Sequence, residues 1–396
     1  MKQNKWRTHH SEGTRRIIVT KDLPGQRWLE LLAEADCRID ICTSEEALHR
    51  QEILASIGNQ CDGAIGQLTE PWGETLFKAI KKAGGTANSN DAVGFNNVDV
   101  AAATRHNIPV GNTPGVLTET TAEMAVALTF AVARRTGEAE RFMRAGKFKG
   151  WLPDLFTGHL LWRKTVGIVG AGRIGEAYAR MMVEGHKMNV IYYDLHDNQP
   201  LEIFIADYNR FLESQGQPGV TCKRAQNIED LLLQADCVSI HTILDDSTRH
   251  LFNADRLAKM KTDAILINTS RGPVIDESAL VDHCRANPDF RAGLDVFEDE
   301  PAMKPGLADL DNVVVVPHIA SATRWTREGM AILAACNVAG ILLGYPLWQQ
   351  SEILPFLENE PPKAIPSIVN AEILGKKSLS IVSKHNMNRS NQQTEV

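Results

Sequence analysis

Three ionisable residues each follow an apolar run, and their chemistries complement one another. Arg271 follows AILINTS, Glu300 follows GLDVFED, and His318 follows VVVVP. An arginine offers a planar fork that can hold a carboxylate through two parallel hydrogen bonds. An imidazole can exchange a proton with a carbonyl or hydroxyl oxygen near neutral pH. A carboxylate beside it fixes the tautomer and favours the protonated ring. Singly, each has an ordinary structural reading: a surface ion pair, a solvated acid, a hydrogen-bonded histidine. Together they supply what a hydride transfer needs. They lie 29 and 18 residues apart, yet residues just beyond strand ends can converge. In open α/β sheets ligands bind outside the carboxyl ends of the strands.

A second pattern points to the hydride carrier. VGIVGAGRIG contains Gly170-x-Gly172-x-x-Gly175 between a buried strand and a helix. The first glycine allows the tight turn, the second lets the backbone approach a pyrophosphate, and the third lets helix and strand pack closely. Exposed N–H groups at the helix start would bind the phosphates. Arg173 can add charge to them, and Ile174 beside it is counted among the cofactor-binding residues. Asp194 ends the next strand, 19 residues after Gly175, where a carboxylate grips the adenosine ribose. This predicts NAD, with NADP secondary because Lys223 and Arg224 follow. The structural alternative is a glycine turn with a surface aspartate.

These residues need a scaffold of alternating strands and helices. RRIIVT (15–20), RIDIC (38–42) and GAIGQL (63–68) read as strands, each followed by a segment with helical spacing. IPVGNTPG (108–115) closes this unit with turn residues. Residues 118–146 predict one long helix, with Thr120 and Glu123 at capping-box spacing. It reads as a core helix or a dimer surface. The second unit opens at 164–185. Its later strands are NVIYYD (189–194), ADCVSIHT (235–242), DAILINTSRG (263–272), RAGLDVF (291–297) and NVVVVPH (312–318). The valine run reads as a buried strand that ends on a histidine. The stretch 195–226 is long for a connection and predicts a short helix of its own at LEIFIADYNRFLES. The pattern is helical again from 324. The tail 375–396 is polar and reads as disordered.

Composition bounds the function. The chain is 43% hydrophobic and 23% charged, with a formal net charge of −7, which argues against a nucleic-acid surface. The longest apolar run, MAVALTFAVA (124–133), falls well short of the ~20 residues that span a bilayer. The first residues lack the apolar core of a secretory signal. Seven cysteines are dispersed (Cys37, Cys42, Cys61, Cys222, Cys237, Cys284 and Cys336). None has metal-ligand spacing, so no metal is expected, and free thiols suit a reducing compartment.

VGIVGAGRIG, NTSRGPVIDE, GLDVFEDEP and VVVVPHIASAT together resemble the D-2-hydroxyacid dehydrogenases, to about residue 370. SNDAVGFNNVDV, NTPGVLTETTAEMA, GWLPDLFTG, KPGLAD, RWTREGM and PSIVN narrow the resemblance to plant-type hydroxypyruvate reductases. The resemblance implies an α/β fold with two Rossmann-like or flavodoxin-like domains, parallel sheets and an active-site cleft between domains. Residues 1–117 and 321–374 would form a substrate domain, and 118–320 the NAD domain. Arg271 would bind the substrate carboxylate, Glu300 would support His318, and His318 would be the acid/base. Asp295 would bond the nicotinamide carboxamide. Thr113, Thr242, Thr269, Ser270 and Ser321 would line the cofactor. The backbone N–H groups of Val93 and Gly94 would meet the carboxylate. Trp151 would either reach a partner's site in a homodimer or pack in the core. The substrate would be a small 2-keto or 2-hydroxy acid, with neither nucleic acid nor membrane as partner. Related readings are a 3-phosphoglycerate dehydrogenase or a broad glyoxylate reductase; a different class is an NAD-sensing corepressor. The plant enzymes carry a terminal Ser-Lys-Leu type signal. This chain ends Gln-Thr-Glu-Val, so a cytoplasmic location is expected.

Overall fold

The computed structural model describes residues 5–375; of the tail read as disordered, 376–396 lie outside the described residues. The described residues divide into two compact units, one on either side of the boundaries after 116 and after 326: the first holds the residues up to 116 and those from 327, the second residues 117–326.

In the first unit six strands form one sheet: β1 (Trp6–His9), β2 (Arg15–Val19), β3 (Cys37–Cys42), β4 (Gly63–Gly66), β5 (Ala87–Asn90) and β6 (Val110–Gly111). Their order is β1-β3-β2-β4-β5-β6. All pairs are parallel except β1 with β3. Helices α1 (Arg27–Glu34), α2 (Arg50–Ile57), α3 (Glu74–Lys82) and α4 (Val100–Arg105) connect them. Ile18, Trp72, Leu76 and Phe77 lie in its core. Three strands of this unit escaped the apolar-run reading; the two-residue β6 lies within the stretch read as turn. β1 is an edge strand with mostly polar residues, and β5 is ANSN, polar yet fully buried.

The second unit holds β7 (Thr165–Val169), β8 (Asn189–Tyr193), β9 (Cys222–Arg224), β10 (Cys237–Ile240), β11 (Ile265–Asn268), β12 (Arg291–Leu294) and β13 (Val313–Val315). The sheet is parallel throughout, in the order β13-β12-β11-β10-β7-β8-β9. Its helices are α5 (Thr118–Ala133), α6 (Thr136–Arg144), α7 (Arg173–His186), α8 (Gln199–Ser214), α9 (Ile228–Gln234), α10 (Ala254–Leu257) and α11 (Glu277–Ala286). Apolar clusters cover the sheet. One gathers Leu231, Leu257, Leu280 and Phe290, another Leu128, Tyr178, Met182 and Ile205. Helix α12 (Arg324–Leu342) carries the chain back to the first unit.

Four local expectations change. The helix expected over 118–146 breaks at Arg135, whose φ of 54° is left-handed and whose guanidinium pairs with Glu138 at 2.8 Å. The capping box does not form, because α5 already starts at Thr118. Thr120 lies inside the first turn and bonds the Thr326 hydroxyl at 2.6 Å. The helix in the 195–226 segment is long, 16 residues, with the Asn198 side chain accepting from Leu201 N at its start. The valine strand is an edge strand, and only Val313 of β13 is buried.

Every cysteine is free, and all but Cys222 are buried. Burial pushes the thiols of Cys37, Cys61, Cys237, Cys284 and Cys336 up to about 12, away from reactive thiolate. Among the described residues no helix is long and apolar enough to cross a membrane, and no group of three His, Cys, Asp or Glu could hold a metal.

Candidate active site

The glycine turn lies where the strand order reverses. From β7 the chain builds outward through β8 and β9, then returns to β10 on the other side. Gly170 follows β7 with φ 91°, and a Cβ there would come within 2.8 Å of the His241 backbone beyond β10. A Cβ on Gly175 would meet the Gly170 carbonyl oxygen at 2.1 Å. Only glycine fits either position. At Gly172 a Cβ would meet nothing within 4 Å, so the start of α7 opens onto space. The first N–H groups of a helix lack partners within it, and they begin at this point. Arg173 is exposed and Ile174 half-buried.

Asp194 comes directly after β8. It accepts Ala171 N at 2.8 Å and His196 N at 3.1 Å, which ties the acid to the glycine turn. The hydroxyls of Thr242 and Thr269 are buried without a partner among the described residues, so a polar ligand would satisfy them. An open helix start, a half-exposed acid and unmatched hydroxyls together fit a dinucleotide.

The second cluster follows from sheet order. Arg271 comes after β11, Glu300 after β12 and His318 after β13, and these strands are successive neighbours. His318 Nδ1 donates to Glu300 Oε2 at 2.9 Å, and Glu300 Oε1 accepts Phe297 N at 3.0 Å. Burial pushes the Glu300 carboxyl up. The hydrogen bond and charge of His318, the Phe297 N–H and the Arg271 charge outweigh it and hold the carboxyl below its usual range. Burial lowers the Arg271 pKa, opposed by the charge of Glu300. The Arg271 guanidinium donates to Ser270 O at 2.7 Å.

Asp295 builds the histidine's loop. Its carbonyl accepts His318 N at 2.9 Å, and its carboxylate accepts Ile319 N at 2.6 Å and Ala320 N at 2.9 Å. The clamp holds His318 at φ 51°, a left-handed conformation uncommon outside glycine. Asp295 is fully buried, and burial raises its carboxyl pKa against the pull of those N–H groups and of His318. The resemblance gave it to the nicotinamide; its hydrogen bonds here go to the loop that aims the imidazole. Ser321 follows the clamp and is half-buried.

In the first unit Asn112 Nδ2 donates to Val93 O, and Asn90 Nδ2 to Gly94 O, each at 2.9 Å. These bonds pin the loop by its carbonyls. The Thr113 hydroxyl is buried without a partner among the described residues. Trp151 is 80% exposed, which excludes core packing.

Two asparagines were not anticipated. Asn268 Oδ1 accepts from the Ser270 N–H and hydroxyl, while its Nδ2 donates to Arg271 O at 2.9 Å. Ser270 thus spends its hydroxyl on positioning the Arg271 turn. Asn198 Nδ2 donates to Ala171 O at 2.8 Å and joins α8 to the glycine turn. An Asn just before a helix with Pro in its first turn was a legible cap signal; its second bond was not.

Comparison with known proteins gives the family. Residues 126–320 match the family model described as D-isomer specific 2-hydroxyacid dehydrogenase, NAD binding domain. A glycerate dehydrogenase of Cucumis sativus is 60% identical over 367 residues, covering 92% of this chain and 96% of the relative. A peroxisomal glycerate dehydrogenase of Arabidopsis thaliana is 58% identical over 371 residues, covering 93% and 96%. The crystal structure of the TT0316 protein from Thermus thermophilus superposes with a TM-score of 0.72 at 36% identity, covering 83% of this chain and 97% of that one. With glycine turn, strand-end triad and near-complete coverage of such relatives, the chain belongs to the D-isomer specific 2-hydroxyacid dehydrogenase family.

Proposed function

We propose that this protein reduces hydroxypyruvate to D-glycerate with NADH, and glyoxylate to glycolate by the same steps. The observation that carries the reading is the His318 Nδ1 to Glu300 bond of 2.9 Å, with Arg271 acting on the same carboxylate. Since Nδ1 is committed to Glu300, Nε2 is the nitrogen that faces the substrate. Bound along the glycine turn, NADH supplies the hydride. His318 Nε2 gives its proton to the carbonyl oxygen as the hydroxyl forms. Arg271 holds the substrate carboxylate and stabilises the charge that develops on the oxygen. Glu300 keeps the ring oriented through the Nδ1 hydrogen bond. Thr113, Thr242, Thr269 and Ser321 line the dinucleotide, and Asp194 selects NADH by taking the ribose hydroxyls. Reduction takes up a proton, so it gains as pH falls, and oxidation gains as pH rises.

The protein would work as a homodimer. Trp151 (80% exposed), Leu152 and Leu160 leave apolar surface uncovered. Light scattering should give twice the chain mass, and a monomer at micromolar concentration would overturn that assignment.

The test of function is NADH oxidation by purified protein with hydroxypyruvate, glyoxylate, pyruvate and 3-phosphohydroxypyruvate in parallel. Hydroxypyruvate should give the highest kcat/KM. Tight NADH binding with no turnover on any of the four would refute the enzyme reading.

A further inference from the structure

The turn after β8 carries more charge than the adenosine ribose requires. Asp194 is followed by Asp197, and Arg224 reaches both from the neighbouring strand. β9 pairs with β8 so that Arg224 lies opposite Tyr192, two residues before Asp194. One η-nitrogen of Arg224 donates to the carbonyl oxygens of Asp194 and Leu195, each at 2.9 Å. The other pairs with Asp197 Oδ1 at 2.5 Å. The guanidinium therefore lies against the backbone of the residue whose carboxylate reads the ribose. Half-exposed and fork-shaped, it has the geometry that takes a phosphate. Lys223 is spent on Gln234.

We propose that Asp197 is a latch that keeps Arg224 from acting as a 2′-phosphate site, and so sets the cofactor preference together with Asp194. The inference rests on the reading that Asp194 binds the adenosine ribose. With the latch closed, the turn holds two carboxylates against one guanidinium, and a 2′-phosphate meets net negative charge. With the latch removed, one arm of the fork is released beside the ribose position and the charges balance. The carbonyl bonds remain, so the turn keeps its shape. Asp197 is therefore a specificity-determining residue that acts through Arg224.

The test needs no turnover. The full-length protein and its variants are titrated by calorimetry with 5′-ADP and with 2′,5′-ADP, which differ only in the 2′-phosphate. Asp197→Asn should tighten 2′,5′-ADP about tenfold and leave 5′-ADP within about threefold. The gain should vanish in Asp197→Asn/Arg224→Ala. Asp194→Ala reports separately on the underlying reading, because it should by itself shift the ratio of the two affinities. A shifted ratio in Asp194→Ala with none in Asp197→Asn overturns the latch alone. An unshifted ratio in Asp194→Ala overturns the ribose reading beneath it. A gain that survives in the double variant also overturns the latch, since Arg224 would not be its agent. Circular dichroism of each variant guards against misfolding; Asp197, with its side chain 62% exposed, should tolerate the change.

Discussion

Asp194 and Asp295 use one device to two ends. Each follows a parallel strand of the same sheet, and each carboxylate takes two backbone N–H groups. Asp194 is half-exposed, and its partners are the glycine turn and its own next turn. Asp295 is fully buried, and its partners are the two residues after His318. The exposed acid keeps lone pairs facing solvent, where a ligand can use them. The buried acid is bonded to the loop that carries the imidazole, and its hydrogen bonds fix that loop. Burial separates the two: one aspartate at a strand end is left open to solvent, and the other is committed to its loop.

The largest effect should come from the group that the buried aspartate aims. His318→Asn keeps a residue that tolerates the left-handed turn, so the loop survives while the proton donor is lost. The expected fall in kcat is about 10²–10⁴-fold, read by NADH oxidation with little change in Tm. Asp295→Asn comes next. An amide has one accepting oxygen, so one loop N–H loses its partner in a buried setting, at a cost of about 1–3 kcal/mol. Both kcat and Tm should fall together. A variant that lost stability but kept full kcat would show that the clamp does not aim His318.

The comparison also has a pH signature with opposite signs. The raised carboxyl of Asp295 makes the folded state bind more protons than the unfolded chain, so its contribution declines as pH rises out of the acid range. The lowered carboxyl of Glu300 contributes stability above its unfolded pKa and loses it as pH falls through its folded pKa. Removing the first term leaves the second. The Tm of Asp295→Asn should therefore climb more steeply with pH across the carboxylate range than that of the wild type, in calorimetric scans. The smallest effect belongs to the exposed member: Asp194→Asn should cost under ~1 kcal/mol of stability, read by urea unfolding. A larger loss would erase the contrast between the two acids.

Much of this was legible from residue type. The parallel strands of the second unit announce themselves as apolar runs, and the glycine turn by its spacing and context. Arg271, Glu300 and His318 could be grouped because each followed a strand. What was hidden depended on partners distant in the chain. The polar strand β5 has no apolar signature, because its burial is imposed by the sheet around it. The break falls on Arg135 itself, a good helix former, and Gly137 two residues later is the sole breaker nearby, one that a helical pattern tolerates. The clamp by Asp295 joins residues 24 and 25 positions apart through backbone N–H groups, and the N–H group is the same in every non-proline residue. Sequence named the chemical groups; the hydrogen bonds that aim them needed the fold.

The buried thiols give the protein an internal readout. Cys37, Cys42, Cys61 and Cys336 belong to the first unit, and Cys222, Cys237 and Cys284 to the second. A maleimide can reach most of them only when the surrounding unit opens. Labelling in a urea series, mapped by peptide mass, would time the opening of each unit without any added probe. The wild-type chain already carries the reporters that such an experiment usually has to engineer.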